Sequence, residues 1–158
     1  NANISTGENV SFTWALWYYR SGAGGSNKST LIQKGSMAST EYQLVVNDTT
    51  KALAVCVGNE YAHASCLETT SVVNDGAWTF VVGGYDAETD VLFASLHGEP
   101  RVTKPLAAGK ADGTATLGIG GCLAGRLDEV AFWKRALSDA DIARVYNNGQ
   151  GLTYPLFQ

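Results

Sequence analysis

Near its end the chain runs Gly125-Arg126-Leu127-Asp128-Glu129-Val130-Ala131-Phe132-Trp133-Lys134-Arg135-Ala136-Leu137-Ser138, an apolar strand leading straight into a capped helix. The helix is expected over Asp139 to Asn147, with Ser138 as N-cap and Asp141 three residues on completing a capping box. Leu137 and Ile142 have the spacing of a hydrophobic staple, Ile142, Val145 and Tyr146 form the apolar stripe, and Gly149 supplies the left-handed stop. Almost everything before this helix reads as β. A single short helix after an all-β run must lie on a sheet rather than form a second domain.

The β reading rests on alternation. Val10, Phe12, Trp14, Leu16 and Tyr18 share one face of a strand ending at Arg20, and Ala15, Trp17 and Tyr19 share the other. Apolar residues on both faces predict a strand covered from both sides for much of its length. Further strands are expected at Thr30–Lys34, Glu41–Asn47, Lys51–Val57, Ala64–Val72, from Trp78 through Phe80 and Val82, at Val91–His97 and at Thr114–Ile119. Turn chemistry separates them at Asn47-Asp48, Gly58-Asn59, Asn74-Asp75-Gly76 and Gly98-Glu99-Pro100. Many short strands at this spacing predict two packed antiparallel sheets in one domain over residues 1–158.

Composition removes several functions. With Lys+Arg 11 against Asp+Glu 15 and a net charge of −4, the basic residues are too few and too scattered for nonspecific nucleic-acid binding. No apolar run approaches the ~20 residues that span a bilayer. Asn1 at the start, with no secretory apolar stretch, predicts a domain cut out of a larger protein or a processed product, with further domains in the parent chain. Three cysteines leave two readings open: three small buried apolar residues, or a Cys56–Cys66 bond across a hairpin with Cys122 free.

Three segments together resemble the laminin-G-like jelly rolls of the concanavalin A-like lectin and glucanase superfamily. Phe12-Thr13-Trp14-Ala15-Leu16-Trp17 is similar to that family's Phe-Thr-(apolar)-x-(small)-Trp strand. Asp75-Gly76-Ala77-Trp78 through Gly84-Tyr85-Asp86 to Gly98-Glu99 resembles its central hairpin, and Gly125 to Ser138 its last strand. The resemblance implies an all-β, two-sheet antiparallel jelly-roll sandwich with one short C-terminal helix. It also implies a first strand upstream of Phe12 that is short or truncated here. The chain departs from the family's pattern at Phe80, where histidine is frequent, and at His97-Gly98, where Asp-Gly is common. Imidazole in place of carboxylate removes a hard oxygen ligand, which counts against calcium at that turn.

The same resemblance sets the candidate chemistry. Sugar-binding jelly rolls hold a structural Ca²⁺ with a carboxylate of the last strand plus backbone carbonyls near the N-terminus, which makes Asp128, with Glu129 as the alternative, the metal candidate; the competing role for Asp128 is to bond backbone amides of a neighbouring loop. Asp86-Ala87-Glu88-Thr89-Asp90 spaces three carboxylates like the catalytic strand of laminarinase-type glucanases, where a retaining pair stands about 5–5.5 Å apart. Its position between two strands instead predicts a turn. His63 and His97 are lone residues, and neither Ser65 nor Ser95 has a nucleophile's setting. Sugars stack on exposed aromatic faces, so Trp17, Tyr19, Tyr61 and Tyr85 are the ligand-binding candidates, with Asn59, Asn74 and Asp86 as polar partners. Trp14, Trp78 and Trp133 are assigned to the core. The expectation is a non-catalytic, extracellular or cell-surface recognition module that binds a glycan. A protein–protein adhesion or structural module is the alternative, and a glycoside hydrolase ranks third.

Overall fold

Strands form where the alternating apolar pattern runs, and the computed structural model describes residues 7–25, 27–35, 40–58, 64–106, 110 and 112–151. In chain order they are β1 (Phe12–Arg20), β2 (Lys28–Lys34), β3 (Tyr42–Asn47), β4 (Ala52–Gly58), β5 (Ala64–Val72), β6 (Trp78–Asp86), β7 (Val91–Leu96), β8 (Val102–Pro105), β9 (Leu117–Ile119) and β10 (Gly125–Trp133). They build two five-stranded sheets, β10-β1-β6-β7-β8 in front and β5-β4-β3-β2-β9 behind. Neighbouring strands pair antiparallel throughout. The two-sheet sandwich read from the sequence is the architecture found.

The inner faces meet in one core. Phe12, Trp14, Leu16 and Tyr18 of β1 point inward against Tyr42, Leu44 and Val46 of β3 and Leu53 and Val55 of β4. Ring centroids of Phe12 and Tyr42 stand 4.9 Å apart, and those of Trp14 and Phe132 4.7 Å. Burying each aromatic side chain removes roughly 150–250 Å² of surface from water, so this layer dominates the favourable side of folding.

The outer face of the front sheet carries a second, smaller core. Ala15, Phe80, Val82 and Phe93 pack there against Leu137, just before the helix, and against Ile142 and Val145 of helix α1 (Asp139–Tyr146). Eight residues are too few for a stable isolated helix, so α1 depends on this docking and on its cap. Ser138 accepts the Asp141 amide while Asp141 accepts the Ser138 amide, the capping box expected. Thr13 ties the connection down by donating to the Arg135 carbonyl (2.7 Å) and accepting from the Leu137 amide (3.0 Å). Gly98 takes a positive φ of 72°, and a side chain there would run into the Tyr146 ring.

Four sequence readings need correction or completion. The helix stops at Asn147, which takes the left-handed conformation at φ 48°, two residues before the expected Gly149. Strand β8 was not anticipated: it is a short edge strand whose mostly exposed residues give no alternation, and Pro105 is tolerated at such an edge. The strand expected from Thr114 begins only at Leu117. Of the two readings left open for the cysteines, the disulfide holds: Cys56 and Cys66 are paired residues of β4 and β5 and are bonded, and Cys122 is free and exposed.

Two charged clusters are built into the sandwich. Glu41 is flanked by the ammonium groups of Lys34 and Lys110, all three buried. Burial lowers the Lys110 pKa, and the Glu41 charge opposes that shift. At the far end of β1, Arg20 is only 2% exposed and pairs with Asp48 and Asp75. Lys51 and Arg20 together hold the Asp75 carboxyl below the usual carboxylate range. The Gly76 amide donates to the Arg20 carbonyl (2.8 Å), so this cluster fixes the turn that leads into Trp78.

Candidate functional site

The outer face of the front sheet is covered by α1 over only part of its length. Residues facing outward alternate along each strand, and two rows across β10, β1 and β6 concern the site. One row is Asp128–Trp17–Phe80 and the next, farther along, is Arg126–Tyr19–Trp78. Tyr146, at the end of α1, packs over the first row, with centroids 5.9 Å from Trp17 and 5.6 Å from Phe80. Because the chain leaves the helix at Asn147, the second row lies beyond it. Trp78 is therefore 42% exposed.

That exposure overturns the assignment of Trp78 to the core. Its alternation with Phe80 and Val82 was read correctly, but the shared face is the outer one, and the helix cover ends before Trp78. Trp14 is in the core as expected, and Trp133 packs half-buried beneath α1.

A β-bulge gives the site its polar side. Ala15 pairs with Ala131, yet Trp17 pairs with Asp128, so β10 holds one residue more than β1 over this interval. Glu129 sits in the bulge at φ 47°. The extra residue reverses the inward–outward phase of β10. Leu127 turns in to join the core, and Arg126 and Asp128 turn out beside the aromatic rings.

The result is an aromatic ledge with a carboxylate rim. Tyr19 and Trp78 meet edge to face at 5.6 Å, and the Arg126 guanidinium lies 4.8 Å above the Tyr19 ring. Beside them is a pocket of about 190 Å³ lined by Trp17, Trp78, Asp128, Glu129, Gly149 and Gln150. Asp128 is exposed, and its Oδ1 accepts the Glu129 amide at 2.8 Å. The Glu129 carboxylate lies against Gly151, where an added Cβ would come within 2.6 Å of both oxygens. The Trp17 indole N–H is buried with no acceptor among the described residues.

The remaining candidates are dispersed. Asn74 is exposed in the turn before Trp78, and a Cβ on its neighbour Gly76 would stand 4.0 Å from the Tyr19 hydroxyl, so this turn borders the ledge. Tyr85 is 1% exposed in the inner core with its hydroxyl donating to Asp90 (2.7 Å), so its ring offers no surface for stacking. It stands at odd spacing from Trp78, Phe80 and Val82, a phase signal that already placed it on the opposite face. Asp86 closes the β6–β7 turn by accepting the Glu88 amide (3.0 Å) and the Thr89 hydroxyl (2.9 Å). Asn59, Tyr61 and His63 lie outside the described residues.

Calcium takes 6–8 oxygen ligands in its ordinary sites. Among the described residues no group of three or more His, Cys, Asp or Glu side chains could hold a metal ion, and Asp128 brings one carboxylate. The Asp86 to Asp90 carboxylates form a turn, as expected, and are not lined up on one strand face. Among the described residues no helix is long and apolar enough to cross a membrane.

A family model described as the concanavalin A-like lectin/glucanases superfamily, of the laminin-G type, matches residues 1–143. The chain belongs to that superfamily. No curated protein matches this laminin-G-like domain in sequence. Among solved structures it is similar to the sialidase CBM40 module of Ruminococcus gnavus bound to α2,3-sialyllactose, at 15% identity and TM-score 0.74, covering 91% of this chain and 85% of that one. It is likewise similar to a heptameric pentraxin from Limulus polyphemus, at 11% identity and TM-score 0.68, covering 94% of this chain and 74% of that one. The binding domain of botulinum neurotoxin serotype D matches at 15% identity and TM-score 0.70, with 90% of this chain covering 38% of the longer domain. At these identities the likeness is one of fold: a lectin-like jelly roll of the kind found in binding modules.

Proposed function

We propose that this laminin-G-like domain is a non-catalytic recognition module, working outside the cell or at its surface, that binds a glycan on the Tyr19–Trp78 ledge. One observation carries the reading: a large indole, 42% exposed, is held in fixed orientation beside a second ring and next to a pocket with polar walls. An unused Trp on a sheet surface is a large apolar area left in water, whereas a pyranose ring can cover its face and bond its hydroxyls to the rim. The pocket has room for about one sugar ring, which suits a shallow, partly wet site. Among the solved structures to which the fold is similar, the Ruminococcus module has a bound sugar, which supports the reading by analogy of fold alone. The Asp86 carboxylate is engaged with its own turn and that of Asp90 with Tyr85, which favours binding over hydrolysis.

The test is binding to a glycan array or immobilised polysaccharides, with a Trp78→Ala variant alongside the parent. A retained glycan whose affinity falls at least roughly tenfold in the variant supports the proposal, since exposed Trp anchors carry a large share of binding energy. Retention that survives Trp78→Ala would move the site elsewhere. Failure to retain any glycan would favour a protein–protein adhesion module instead.

A further inference from the structure

The pocket beside the ledge has a sign as well as a shape. Two indoles, Trp17 and Trp78, line it with two carboxylates, Asp128 and Glu129, and no basic side chain shares the lining among the described residues. Asp128 takes no part in any of the molecule's ion pairs among the described residues, although Arg126 stands two residues away on the same face. Arg126 instead lies over the Tyr19 ring, so a neighbouring aromatic face of the same ledge already receives a cation. Aromatic faces and an uncompensated carboxylate both favour positive charge, and they converge on one space of about 190 Å³.

We propose that this pocket selects a hexosamine residue whose amino group is free and protonated. The inference rests on the glycan reading above and names the chemical class of that glycan. The sugar ring lies against the exposed Trp78 indole, and its ammonium faces Asp128. N-acetylation removes the charge, and with it both the ion pairing and the cation–π attraction. An acidic sugar brings a carboxylate toward two others, and like charges at close range disfavour each other. The ligand of the Ruminococcus module, α2,3-sialyllactose, is therefore the wrong sign for this pocket, in spite of the shared fold.

The experiment measures affinity by titration calorimetry for three oligosaccharides: glucosamine oligomers, N-acetylglucosamine oligomers of equal length, and sialyllactose. The glucosamine oligomer is expected to bind roughly three- to thirty-fold tighter than its acetylated counterpart, the range set by one exposed cation–π contact and one exposed ion pair. That preference shrinks at high salt and falls to roughly two- to fivefold in Asp128→Asn, which keeps the side-chain shape and leaves only the cation–π part, while Trp78→Ala weakens both oligomers. Glu88→Gln, in the distant β6–β7 turn, leaves the preference intact; its loss there would mean general attraction of a polycation to an acidic protein and would overturn the proposal. Equal binding of the two oligomers, or a preference undiminished in Asp128→Asn, overturns the amine selectivity but leaves the glycan reading standing. If none of the sugars binds and the array is also blank, the glycan reading fails and takes this inference with it.

Discussion

The Cys56–Cys66 bond gives a stability prediction that can be worked through from loop length. The two residues are separated by 10 positions and are opposed on neighbouring strands that also pair through their backbones. In the native state the bond therefore adds little to what the β4–β5 ladder already holds together. Its effect lies in the unfolded chain, where it forbids conformations in which the two strands separate. Closing a loop of ten residues lowers the entropy of that ensemble by an amount worth about 2.7 kcal/mol at room temperature. For a domain of this size 1 kcal/mol moves the melting temperature by roughly 2–4 °C. Reduction should lower Tm by about 5–11 °C. The assay is calorimetric or fluorescence melting with and without a phosphine reductant, with thiol titration to confirm one free cysteine before reduction and three after. A Cys56→Ala/Cys66→Ala variant should melt near the reduced parent and be indifferent to reductant, whereas Cys122→Ser should keep the full response. A fully reduced parent melting within about 1 °C of the oxidised one would refute the unfolded-chain argument.

Other expectations follow from the packing and charges already described. Ile142→Ala removes a buried contact between α1 and the front sheet and should cost about 2–4 kcal/mol, with a red shift in tryptophan emission as Trp17 and Trp133 gain water. Glu41→Gln leaves the buried ammonium groups of Lys34 and Lys110 without their shared counter-charge, and chemical denaturation should show a loss of about 3–5 kcal/mol. Asp141→Asn weakens the capping box and the pair with Arg135 and should cost about 1 kcal/mol at neutral pH. Arg135 and the Ser138 amide lower the Asp141 pKa below its unfolded value, so its contribution is present above that value and is lost in acid. The stability gap between parent and variant should therefore begin to close as pH falls below about 4–5, and a gap that widens there would contradict the assignment.

The sequence made the sandwich legible because its strongest signals are local. Alternation along β1 separates Phe12, Trp14, Leu16 and Tyr18 from Ala15, Trp17 and Tyr19, and the Ser138–Asp141 spacing marks the helix start unaided. The ledge was only half legible. Trp17, Tyr19 and Asp128 could be nominated one at a time, but their meeting depends on the pairing register of β10 with β1, a non-local fact. Trp78 was hidden because its alternation with Phe80 and Val82 shows a shared face without saying which side of the sheet that is, and α1 covers only part of the outer side. Tyr85 misled for the opposite reason: residue type suggested a stacking platform, while its phase along β6 had already put it inside. Strand β8 escaped because an exposed edge needs no apolar pattern.

The bulge at Glu129 makes the character of this surface a matter of residue count more than residue identity. Deleting Val130 would change no functional group, yet it would restore one-to-one pairing, leave Asp128 opposite Trp17 and Leu127 opposite Tyr18, and drive the Glu129 carboxylate into the hydrocarbon interior opposite Leu16. Related chains compared with this one by matching letters alone can slip by a single position here, and so exchange the wet and dry halves of the last strand. A gap in that place is a change of chemistry.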